Sequence, residues 1–270
     1  MLKRLFVPAL LGLLGSLGAS AHAGEPDPRG GEDVADGGGV EEVMQELFIG
    51  EMVYAQEQWE LQATAAAAWT HRDNSDVLEA PLTLELGLTD RLQIAVEAPL
   101  LHERDGDRGQ TGLGNLAGSV LYNVLADGTT GRAVSFGIEG AAPAASDDVG
   151  EQAVVLEPFV IGYLASGALA VNASLAMEIA FSTQRQDTEL GMELVLAALF
   201  PRGALVPSVE AGVTVDDGQA SFLLVPGLTG RVSDSLEIGA AAGARVGEAG
   251  DRALLAAIHV TWESSLSGRD

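Results

Sequence analysis

The sequence predicts an all-β fold, an antiparallel up-and-down transmembrane β-barrel of about twelve strands. The first observation behind this is strict alternation. In residues 80–101, Leu82, Leu84, Leu86 and Leu88 interleave with Thr83, Glu85 and Gly87. After a turn at Thr89 and Asp90, Leu92, Ile94, Val96 and Ala98 interleave with Gln93, Ala95 and Glu97. A period of two gives each strand one apolar face and one glutamate-bearing face. Residues 228–246 repeat the arrangement. The second observation is length: most such segments run close to the ~9–11 residues that a tilted strand needs to cross a bilayer. The third is that short and long connections alternate along the chain, as they do when turns gather at one end of a barrel and loops at the other.

From the start of the chain, residues 1–23 read as a secretory signal. Lys3 and Arg4 supply the positive end, an apolar stretch follows, and Ala21, His22 and Ala23 form a small-residue cleavage pattern. Removing Lys3 and Arg4 takes the formal charge from −25 to about −27. So acidic a chain is a poor partner for nucleic acid, whose phosphates want a basic surface. With 0 cysteines there are no disulfides, so backbone pairing and packing must hold the fold. Residues 24–56 form an acidic, Gly-rich N-terminal periplasmic segment whose first half has almost no apolar residues. Within it, residues 40–49 are either a short helix tucked into the barrel mouth or a flexible tether, the tether being the simpler expectation.

The barrel is expected over 57–263, with strands at 57–70, 79–88, 91–101, 113–125, 132–142, 153–164, 168–182, 189–200, 205–215, 220–229, 236–246 and 253–263, and a tail at 264–270. An even count suits single-chain bacterial barrels, with both termini in the periplasm. The longer, more charged connections (71–77, 102–112, 143–152 and 183–188) belong outside. Trp59 and Trp69 share the outward phase of the first strand, roughly 25 Å apart along the membrane normal. Tyr122, Phe136, Phe200 and Trp262 fall near turn ends, Phe181 and Phe222 near loop ends, and together these eight make two thin aromatic girdles.

If the apolar phase faces lipid, the other phase places Glu60, Glu85, Glu97, Glu139, Glu157, Glu178, Glu193, Glu210 and Glu237 inside, with Arg245 and His259 as the inward basic groups. A mid-strand glutamate facing lipid would be costly, which fixes the phase. Small inward residues such as Gly87, Asn172, Gly212 and Gly239 leave space, predicting an acidic, roomy lumen that favours cations or amine-bearing solutes. The alternative is a blocked interior in which the glutamates bond one another, serines and water. In the sixth strand Val155, Phe159, Ile161 and Tyr163 share the phase of Glu157. Either a β-bulge resets that phase or a side chain obstructs the lumen, or Phe159 and Tyr163 form an apolar patch for an aromatic or hydrophobic solute.

No zinc spacing, phosphate loop or nucleophile elbow stands out, so no cofactor, metal or catalytic residue is expected. Residues 112–118, GLGNLAG, resemble a dinucleotide fingerprint but lack a surrounding βαβ pattern. His259 has no serine that can be placed beside it for a barrel hydrolase.

The hairpin LTDRLQIAVEAPLL followed by GLGNLAGSVLYNVL, with QEQWEL before the first strand, resembles a family of outer-membrane barrels associated with meta-pathway phenol degradation and transporter-like roles. The resemblance covers about residues 56–125 and rests on turn and strand signals. It implies a closed outer-membrane barrel passing small, aromatic or hydrophobic molecules, assembled by the barrel-assembly machinery. The chain departs from that pattern in Asn115, where the family tends to have Asp, and in ending ESSLSGRD, which leaves Trp262 as its last aromatic residue. The expected function is a channel or small-molecule transporter of the bacterial outer membrane. The alternatives are a non-conducting structural or cell-surface barrel and a barrel-embedded hydrolase.

Overall fold

A computed structural model describes residues 43–143, 153–182, 188–216, 218–248 and 251–266. Strand follows strand in antiparallel order: β1 (Glu60–Arg72), β2 (Ser75–Thr89), β3 (Leu92–Asp105), β4 (Arg108–Leu113), β5 (Leu116–Asp127), β6 (Arg132–Ala142), β7 (Ala153–Ser166), β8 (Leu169–Ser182), β9 (Thr188–Leu199), β10 (Leu205–Asp216), β11 (Gln219–Ser233), β12 (Leu236–Gly247) and β13 (Arg252–Ser265). Each pairs with its neighbours, and β1 pairs with both β2 and β13, so the sheet closes on itself. Closure leaves twelve staves without open edges along the wall. The thirteenth strand, β4, is a short extension that pairs with the end of β3.

The alternation decides which side chains face out. Leu82, Leu84, Ile94, Val96, Ile138, Leu196, Leu224 and Ile258 are all exposed on the outer wall. So large an exposed apolar surface is unfavourable in water, at about 25 cal/mol per Å², and marks a membrane or a partner surface. All eight predicted girdle aromatics (Trp59, Trp69, Tyr122, Phe136, Phe181, Phe200, Phe222 and Trp262) are exposed as well.

Several expectations need correction. The first strand begins at Glu60, not at residue 57, because Trp59 turns the chain with φ +66. Two expected loops are largely strand: β1 and β2 continue to a tight turn at Asp73 and Asn74, and β3 runs on to pair with β4. Lipid-facing alternation ends at the girdle, but backbone pairing continues past it. The predicted strand 113–125 is broken at Gly114 and Asn115, where the Gly114 N–H donates to the Pro99 carbonyl. The sixth predicted strand, β7, keeps one register along both neighbours, so no bulge resets its phase. Register shifts occur instead near turn ends, at Gly87/Thr89, Asn123/Leu125 and Arg231/Ser233. The signal peptide, the lead-in up to residue 42 and the tail from 267 lie outside the described residues.

Candidate functional site

The barrel interior is occupied by the chain's own N-terminal segment, residues 43–59. It is neither the short helix nor the loose tether that the sequence left open. Among its described residues it has no helix, and Met44, Leu47 and Val53 are buried. From Gln45 onward the segment runs round the inner wall and meets the strands in descending order. The Gln45 N–H donates to Glu237 of β12 at 2.9 Å, and its side chain bonds Glu263 of β13. The Phe48 and Ile49 N–H groups donate to the two carboxylate oxygens of Glu210 on β10, at 2.9 and 2.8 Å. Asn172 of β8 donates to the Glu51 carbonyl at 2.6 Å. Ser135 of β6 and Asn123 of β5 both donate to the Val53 carbonyl. The Gln56 N–H donates to Gln93 of β3 at 2.8 Å, and its side chain reaches Gln62 of β1.

Every one of these wall anchors lies within six residues of its strand's turn end. The segment therefore forms a ring across the turn-end third of the lumen. A buried backbone without such partners would be costly. Here inward Glu, Gln, Asn and Ser supply the acceptors and donors that an irregular segment cannot supply for itself.

Small inward residues receive this ring rather than leaving the lumen roomy. The Phe48 ring lies over Gly227, where a Cβ would come within 2.4 Å of it. On its other side it stacks on His259, with centroids 4.8 Å apart and planes 3° from parallel. At Gly87 a Cβ would meet the Glu57 carbonyl at 1.9 Å, so only glycine lets the segment pass. The inward apolar residues of β7 gain a purpose too. Ile161 and Tyr163 are buried in one cluster with Met44, Leu47 and Val53, and Tyr163 packs edge-on against Tyr54 at 5.1 Å. Phe159 packs against the same cluster. The predicted solute patch is thus covered by the chain itself.

The predicted lumen glutamates divide into two groups. Glu210 and Glu237, 0% and 2% exposed, are consumed in holding the segment, and Glu237 also meets Arg231 at 3.3 Å. Glu60 sits at the turn-end rim and accepts the Glu57 N–H. Glu85 accepts from Gln62 at 2.9 Å, and Glu97 from Thr83 at 3.1 Å. Glu139 and Glu157 are register partners on β6 and β7. Glu178 is buried, Glu193 pairs with Thr214 across β9 and β10, and Arg245 lies opposite Leu223 and Ala253. His259 is 2% exposed, and its Nε2 faces the backbone of Gly239. The ring is thus held between the segment and the wall, with one face on Phe48 and its edge bordering the loop-side cavity.

The segment also adds carboxylates of its own. Glu51 belongs to it and not to the wall, and it lines cavities inside the barrel. Enclosure, then the charges of Glu139, Glu85, Glu157 and Glu97, push its carboxyl up to about 8.

Cavities lie on both sides of the ring. On the turn side a cavity of about 490 Å³ is lined by Val43, Thr229, Arg231 and Glu237 among others. On the loop side a cavity of about 280 Å³ lies against Phe48, Ile49, Thr83, Glu97 and His259. Within the ring, beside Glu46, Glu51, Gln56 and Glu85, lies a pocket of about 30 Å³, room for roughly one water. Among the described residues no three acidic, His or Cys side chains converge as a metal site would require.

No family model matches the chain, and no curated protein matches it. Solved structures do. An outer-membrane channel from Pseudomonas putida F1 aligns with TM-score 0.61 at 13% identity, covering 81% of this chain and 100% of that one. The KdgM porin aligns with TM-score 0.50 at 7% identity, covering 74% of this chain and 98% of that one. The same porin in complex with disordered oligogalacturonate gives TM-score 0.51, also at 7% identity. At such identities the likeness is one of fold, and the fold is that of outer-membrane channel barrels.

Proposed function

We propose that the chain is a passive channel of the bacterial outer membrane whose conducting width is set by its own N-terminal segment. Its acidic lumen favours cations and amine-bearing solutes, including aromatic ones. The observation that carries this reading is the loop-end cavity, which has Glu46, Glu51, Glu79 and Glu97 among its lining residues and no Lys or Arg. Single-sign charge in a narrow, walled space concentrates counter-ions and repels co-ions. The exposed apolar wall and its aromatic rims support a lipid surround. The channel and porin folds it resembles support conduction, and its hairpin motifs support the meta-pathway-like solute class.

A second reading has an observation of its own. The ring crosses the turn-end lumen and encloses a pocket of about 30 Å³, which favours a barrel that conducts nothing while the segment is seated. Conductance of the refolded mature chain in a planar bilayer under a salt gradient separates the two. Steps with a cation-selective reversal potential support the channel. A silent bilayer, with folding shown by heat-dependent gel mobility, supports the closed barrel. Anion selectivity sinks the acidic-lumen reading.

A further inference from the structure

The loop-end cavity has two unlike walls. Phe48, Ile49, Pro81 and Ala257 give it an apolar side, while Glu46, Glu51, Glu79 and Glu97 stand round the rest. Water alone does not call for the apolar side, nor a hydrocarbon for the carboxylates. An inorganic divalent ion fits poorly as well. It would need three or more carboxylate or imidazole groups converging on one point, and among the described residues no such convergence occurs. Dispersed carboxylates facing a flat apolar surface suit a charge spread over an ammonium group that is attached to a hydrophobic body. The volume limits the body. At about 280 Å³ the cavity exceeds the ~150 Å³ that accepts benzene by enough for a short charged arm. The stacked Phe48–His259 pair supplies an aromatic surface for a ring to pack beside.

From this we infer that the cavity is a binding site for a compact aralkyl ammonium ion, one aromatic ring carrying an amine on a short chain. The inference deepens the channel reading and rests on its assumption that solutes reach the lumen. The ring packs against Phe48, Pro81 and Ala257, and the ammonium lies between Glu97 and Glu79, with the Glu51 carboxyl as a hydrogen-bond acceptor beside them. Glu97 is already oriented by the Thr83 hydroxyl. Site and ring are one construction, because Phe48 and Glu51 belong to the N-terminal segment and the remaining residues to the wall.

The test uses the full mature chain refolded in detergent, with 2-phenylethylammonium as the probe and calorimetric titration as the readout. Toluene and phenylacetate serve as its uncharged and charge-reversed counterparts. Phenylethylammonium is expected to bind at least tenfold more tightly than either. Glu97→Gln should weaken it about tenfold. Ala68→Leu, which fills the cavity from β1 without removing charge, should abolish binding while heat-dependent gel mobility stays normal. Equal binding of toluene overturns the proposal, as does failure of the amine to bind. An unchanged affinity in either folded variant also overturns it. Conductance of the same preparation is judged separately. Binding without conductance leaves the site and removes the channel, whereas conductance without binding does the reverse.

Discussion

Glu210 and Glu97 are both inward glutamates of a β-strand, each five residues from its strand's turn end, yet they sit on different sides of the barrel and do different work. Glu210 is fully buried and spends both oxygens on the Phe48 and Ile49 amides. Glu97 accepts the Thr83 hydroxyl and lines a cavity. One spends its oxygens on the backbone of the N-terminal segment, while the other lines the cavity beside that segment. Distance from the segment, rather than residue type, decides between scaffold and lumen lining.

This contrast can be broken most sharply by removing the segment. Deleting residues 24–56 should raise single-channel conductance several-fold, because the segment that crosses the turn-end lumen disappears while the wall keeps its pairing. Unchanged conductance would mean that the segment does not set the pore. Next in size is Glu210→Ala. Hydrogen bonds to a charged group contribute about 1.5–3 kcal/mol, so losing this double acceptor should free the segment in a fraction of molecules. Faster hydrogen exchange at Phe48 and Ile49, with β-sheet exchange unaltered, would show it. Gly227→Ala comes third. Its methyl meets the Phe48 ring, and brief openings to a larger conductance level than that of the parent chain are expected in the recordings.

By contrast, Glu97→Gln should leave the segment's exchange untouched and reduce cation preference, read as a reversal potential closer to zero. A change in exchange instead would erase the distinction between the two glutamates.

The smallest effect is on pH. Glu51 has a carboxyl raised to about 8 in the folded chain, against about 4.3 when unfolded. Stability from its neutral form is complete below the lower value. It falls as pH rises between the two and is gone above the higher one. Conductance should therefore rise modestly from pH 6 to pH 9, and Glu51→Gln should flatten that rise.

Much of the wall was legible because lipid-facing strands repeat one local rule. Leu82, Leu84 and Leu86 specify their own orientation whatever lies across the lumen. Glu79 was legible in principle, sharing the phase of Glu85, but it stood at the assumed start of a strand that in fact begins at Ser75. The segment obeys no local period. Its path is dictated by hydrogen-bond partners on eight different strands, which no window of sequence contains. Two signals pointed to it nonetheless. Met44, Leu47, Phe48, Ile49, Met52, Val53 and Tyr54 are too apolar for a tether. Inward Ile161, Tyr163, Val195 and Leu199, all buried, required something apolar to cover them. Reading β7 as a phase error treated as a fault what was a docking surface.

The circuit of the segment also bears on how the molecule assembles. Gln45 meets Glu237 across 192 residues of sequence, and Val53 meets Ser135 across 82. Contacts of such separation are the slowest to form, because the chain entropy of closing long loops comes first. The earliest part of the described chain can find its partners only after the latest strands exist, and β1 must meet β13 before its ring of hydrogen-bond partners is complete. Seating of the segment is therefore a late event that reports closure. A barrel with one strand misplaced would carry its N-terminus unseated, exposed to proteolysis at the very end that left the ribosome first.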